Sequence, residues 1–114
     1  MHVKNFSIIN RDGKIALSPG YDLLNSTIEL NKPEEEIALP VKGEKKNLTR
    51  NILIDYFGKE RCELTNKVID NSLNIISDSI PLWMDLINIS FLSDDMKKKY
   101  VGLLNTRIRI LKIQ

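Results

Sequence analysis

Two oxygen-bearing side chains near the amino end, Asn5 and Asp22, flank a short stretch that has the marks of a β-hairpin. The first lies in Met1-His2-Val3-Lys4-Asn5-Phe6-Ser7-Ile8-Ile9, which opens polar and passes into β-prone residues. The second lies in Leu17-Ser18-Pro19-Gly20-Tyr21-Asp22-Leu23-Leu24, just past a Pro-Gly turn. This layout suits a hard cation such as Mg²⁺ held against phosphates, because that ion takes few protein oxygens and leaves the rest to water and phosphate. Competing metal chemistry fails by count. His2 is the only histidine, which excludes a multi-histidine zinc site, and Cys62 is the only cysteine, which excludes an internal disulfide.

The elements that must position these residues follow from local chemistry. Phe6–Ile9 and Lys14–Leu17 read as two short strands, joined by Asn10-Arg11-Asp12-Gly13, whose Asp-Gly pair favours a tight turn. Ser18-Pro19-Gly20 ends the second strand. Asp22-Leu23-Leu24 suits one helical turn, Asn31–Glu36 a charged surface connection, and Glu36–Leu39 a short strand stopped by Pro40. The polar loop Lys42–Asn47 separates this mixed third from a helical remainder.

Four helices are expected in that remainder. Thr49 caps the first, over Arg50–Phe57, with Gly58 as its left-handed stop. The second runs from Lys59 to Ser79, with Cys62, Ile69, Leu73, Ile76 and Ile80 on one face. Pro81 opens a short third helix carrying Leu82, Trp83, Leu86 and Ile87. Ser93-Asp94-Asp95 starts the fourth, capping it and placing acids against the positive end of its dipole. Met96, Tyr100, Leu103, Leu104, Ile108 and Leu111 form its inward face. Trp83, Phe91 and Tyr100 are expected in the core, with Cys62 as a buried small hydrophobe.

The run His2-Val3-Lys4-Asn5-Phe6-Ser7, followed by Leu17-Ser18-Pro19-x-Tyr21-Asp22-Leu23-Leu24, resembles the catalytic and metal-binding segments of HipA-type serine/threonine kinases, the toxins of bacterial toxin–antitoxin pairs. The tail, with Trp83-x-x-Leu86-Ile87-x-x-Ser90-Phe91-Leu92-Ser93, then Met96-Lys97-x-x-Tyr100 and Arg107, resembles the closing helices of the same family. The implied fold is α+β and mostly helical: a hairpin and metal-loop segment over 1–40 and a bundle of about four helices over 47–114, like the carboxy-terminal lobe of such a kinase. The resemblance assigns Asn5 and Asp22 as Mg²⁺ ligands, and His2, Lys4, Asn5, Tyr21 and Asp22 as the residues around ATP. Without the resemblance, Asn5 reads as a turn residue, Asp22 as a helix cap and His2 as a terminal residue.

In the family a catalytic aspartate stands two residues before the histidine, a position that falls immediately before Met1. The implied function is therefore the carboxy-terminal part of a HipA-like kinase, truncated ahead of its catalytic base and amino-terminal lobe and inactive alone. The alternative is a non-catalytic interaction module that docks a separate amino-terminal kinase part, a HipB-like antitoxin or itself. DNA would be met only indirectly, through an antitoxin. The 114 residues form one domain at most, and their net charge of +2 implies no large nucleic-acid footprint. The basic cluster Lys42, Lys45, Lys46 and Arg50 is the densest exception. No apolar run approaches the roughly 20 residues of a membrane span. A cytoplasmic protein is expected.

Overall fold

The computed structural model describes residues 5–21, 25–29 and 35–113, with the side chains of Ser26 and Glu29 also outside the description. The chain divides into two compact units, Met1–Asn47 and Leu48–Gln114. The fold is α+β and mostly helical.

In the first unit, β1 (Ile8–Arg11) pairs antiparallel with β2 (Lys14–Leu17), in the register Ile8↔Leu17, Ile9↔Ala16, Asn10↔Ile15, Arg11↔Lys14. Asp12 (φ 53°) and Gly13 (φ 75°) make the two-residue turn. Both central residues at positive φ give the twist that matches paired strands, and an Asp-Gly pair is suited to it. The first strand thus starts at Ile8 rather than Phe6 and runs on to Arg11. One helical turn follows, α1 (Ser26–Glu29), which the weak pattern of that stretch does not announce. The turn expected at Asp22-Leu23-Leu24, and most of the connection at 31–34, lie outside the described residues.

Glu36–Leu39 is not a strand. It runs in bends, with the Glu36 amide on the Lys45 carbonyl at 2.7 Å, and strand-like pairing is confined to Val41 and Glu44 beyond Pro40. Lys42 and Gly43, both at positive φ, close a turn there and draw the pairing to themselves.

The second unit holds three helices where four are expected. The first, α2 (Asn51–Arg61), is wound in the wide π form, and the Cys62 amide reaches back five residues to the Phe57 carbonyl at 2.9 Å. Thr49 caps it as expected, its Oγ1 accepting from the Ile52 amide at 3.3 Å. Gly58 is not its stop. It is buried inside the helix with its Cα face on Ile69, where an added Cβ would lie 3.7 Å from that side chain. The left-handed residue is Glu63 (φ 53°), past the end. Cys62 is exposed in the turn after α2 instead of buried in a helix.

The next helix, α3 (Asn66–Ile89), is continuous and passes through Pro81. It starts seven residues later than the expected Lys59 because Thr65 is a true cap, accepting the Val68 amide at 3.4 Å. Pro81 does not begin a separate helix. The inward stripe of Ile69, Leu73, Ile76 and Ile80 continues in phase through Met84 and Ile87, and all six are buried or half-buried. Packing on both sides of the proline offsets the roughly 3 kcal/mol that a helix-interior proline costs.

The last helix, α4 (Asp94–Leu111), begins as its sequence dictates, with Ser93 Oγ accepting the Met96 amide at 3.4 Å and two acids in the first turn. Its inward residues, Met96 to Leu111, are half-buried. The Arg50 guanidinium donates to the Leu111 carbonyl and ties the entrance of α2 to the end of α4. Among the described residues the buried hydrophobic set is small: Ile28, Leu48, Ile69 and Ile87. Of the aromatics expected in the core, only Tyr100 is half-buried. Trp83 is 38% exposed, beside the inward stripe of α3 rather than on it, and Phe91 is wholly exposed in the turn between α3 and α4.

Candidate functional site

The site expected from the sequence has two arms, and the hairpin joins their described ends. Beyond the last strand pair, Ile8↔Leu17, the Ser18 amide donates to the Ser7 carbonyl at 2.8 Å. The end of the first motif therefore lies against the start of the second. Asn5 stands two residues before this pair, and Tyr21 three after it.

Side chains reinforce the join. Ser7 Oγ lies 3.1 Å from Ser18 Oγ and 3.3 Å from the Tyr21 hydroxyl. A serine hydroxyl has one proton and two lone pairs, so Ser7 donates to one neighbour and accepts from the other. This three-hydroxyl cluster is the part that residue types alone do not reveal. Ser7 and Ser18 carry no chemistry in isolation, and only the strand register brings them together.

Asn5 is half-buried and engaged in an interaction of its own. Tyr21 is exposed, and its contact is to the hydroxyl of Ser7 on the opposite arm. His2, Lys4 and Asp22 lie outside the described residues. Among the described residues no group of three or more His, Cys, Asp or Glu side chains is clustered to hold a metal ion. A Mg²⁺ held on one carboxylate, one amide and phosphate oxygens needs no such cluster.

Several charged residues elsewhere make ordinary surface contacts. Lys45 meets Glu35 at 3.0 Å, Lys99 meets Asp95 at 3.0 Å, and Lys97 donates to the Asn88 carbonyl at 2.8 Å. Of the basic cluster seen in the sequence, Lys45 is paired with Glu35 and Arg50 donates to the Leu111 carbonyl. In α2, the Lys59 ammonium hydrogen-bonds Asp55 at 2.9 Å and holds its carboxyl below the usual range. No described helix is long and apolar enough to cross a membrane.

A search among curated proteins finds no match. The family of the HipA-like C-terminal domain matches residues 1–82. The match takes in both motif arms, the hairpin between them, α1, α2 and α3 as far as Leu82, and stops short of the tail motif that starts at Trp83. Covering well over half of the 114 residues, it makes this chain a member of the HipA-like C-terminal domain family.

Proposed function

We propose that these 114 residues supply the metal side of a HipA-like serine/threonine kinase site, with Asn5 and Asp22 as ligands to the Mg²⁺ of Mg–ATP. The observation that carries this reading is the Ser7–Ser18 join, which registers the two motif arms inside the matched region. In such a site the amide of Asn5 and the carboxylate of Asp22 each give the ion an oxygen, and the phosphates supply others. His2 and Lys4 lie close in sequence to Asn5 and would add positive charge beside the phosphates. Tyr21, hydrogen-bonded to Ser7, would help to orient the residue that follows it, Asp22.

Phosphoryl transfer also requires a catalytic base, a phosphate-covering loop and a lysine on the α/β-phosphates, and these parts act as a unit. No aspartate precedes His2 in this sequence, and its five glycines form no such loop. The chain tested alone is expected to bind Mg–ATP weakly and to transfer no phosphate. A HipB-like antitoxin, an amino-terminal kinase part and a cytoplasmic setting belong to the same reading.

Calorimetric titration of the purified chain with ATP, with and without Mg²⁺, is the test. Weak binding that needs Mg²⁺ and is lost in both Asn5→Ala and Asp22→Ala supports the assignment. Binding indifferent to the metal, or unchanged in either variant, rejects it. Transfer of labelled phosphate to a generic protein substrate by this chain rejects the predicted inactivity.

A further inference from the structure

The carboxyl half of α3 and the start of α4 leave an apolar groove of about 430 Å³, walled by Trp83, Leu86, Ile87, Leu92, Tyr100 and Leu104. Between two groove-lining residues, Ser90 and Leu92, stands Phe91, with its whole ring in solvent. We propose that this face is a homodimer interface, in which the Phe91 ring of each copy fills the groove of the other.

Three features favour a second copy of this chain as the occupant. A two-fold interface uses the same patch on both subunits, so that patch must carry both plug and socket. Phe91 and the groove beside it meet that requirement. The second feature is area. Leu82, Trp83, Leu86, Ile89, Phe91 and Leu92 are all exposed, and a full aromatic area of about 150–250 Å² with smaller aliphatic ones, each taken at its exposed fraction, comes to roughly 600–700 Å² per copy, close to the ~800 Å² share of a standard stable interface.

The third is charge. Asp78, Asp85, Asp94 and Asp95 share these helix segments with Lys97, Lys98 and Lys99, four acids against three bases. A rim so nearly balanced attracts neither a strongly acidic nor a strongly basic partner, and it does not repel its own copy. The groove residues named here also lie beyond the region matched by the family, so the inference does not depend on nucleotide binding.

Trp83 is the only tryptophan in the chain and lies in the groove wall, which gives the test a local reporter. Sedimentation equilibrium of the full chain up to ~100 µM should show a monomer–dimer equilibrium. Over the same range the Trp83 emission should move to shorter wavelength as Phe91 of the partner covers it. Phe91→Asp changes a side chain wholly in solvent, so its circular dichroism should match the parent. It should nevertheless weaken the dimer at least ~10-fold and remove the emission shift. Leu86→Lys, on the groove wall, should do the same. A monomer at every concentration overturns the proposal. So does a dimer that leaves Trp83 emission unmoved or tolerates both substitutions, since its contact would then lie elsewhere.

Discussion

Gly13 is the residue on which the order of the candidate site depends most directly. Its φ of 75° lies in the left-handed region, and an added Cβ there would meet nothing within 4 Å. The cost of Gly13→Ala is therefore conformational alone, about 1 kcal/mol. Loss of the cross-strand Ile9–Ala16 contacts in nuclear Overhauser spectra would register it. Gly13→Asn should cost less, because asparagine tolerates that conformation. Equal damage from both substitutions would mean that something other than φ is at stake. The Asp-Gly turn could be read from the sequence because its chemistry is local. The Ser7–Ser18–Tyr21 cluster could not, because a hydroxyl acquires partners only once the strand register is fixed. Cys62 departs from its expected burial for a related reason: helical spacing puts it in phase with Ile69, but the chain turns at Glu63 before the next helix begins.

At the scale of elements, the caps at Thr49 and Ser93 are legible in the sequence, whereas the cap at Thr65 and the run of α3 through Pro81 are not. Thr49, Thr65 and Ser93 each accept the amide three residues on, a contact written into a few neighbouring residues. Thr65→Ala and Ser93→Ala should each lower unfolding stability by about 1 kcal/mol in urea titrations, and their effects should add. Pro81 shows the opposite situation, since a local rule ends the helix there while the inward stripe carries on through it. Pro81 is itself exposed, so Pro81→Ala should stabilise the chain by about 1–3 kcal/mol with no change of fold. A destabilised variant would show that the proline fixes a bend the packing needs. In α2, Asp55 has its carboxyl held down by Lys59, so the pair supports the folded state at neutral pH. That support fades as pH falls through the lowered value, because the unfolded carboxyl takes up its proton first. Both partners are well exposed, so Asp55→Asn should change stability at pH 7 only slightly.

Among the described residues, the first unit buries little and the second joins three helices. Residues 1–47 contain a two-stranded hairpin and a single helical turn, with Ile28 the buried hydrophobic residue among those described. A lone hairpin is marginal in water, and chains near this length seldom fold without a staple. Residues 48–114 contain α2, α3 and α4, linked by the Gly58–Ile69 contact and the Arg50–Leu111 hydrogen bond, with Leu48, Ile69 and Ile87 buried. A peptide of residues 48–114 should therefore keep its helical circular dichroism and unfold cooperatively, and one of residues 1–47 should give no cooperative transition. A sharp thermal transition from 1–47 alone would show that the hairpin segment has a core of its own. The same comparison bears on the candidate site. Mg–ATP should protect residues around the hairpin from hydrogen exchange in the full chain and leave the isolated 1–47 peptide, which lacks a core to order it, unprotected.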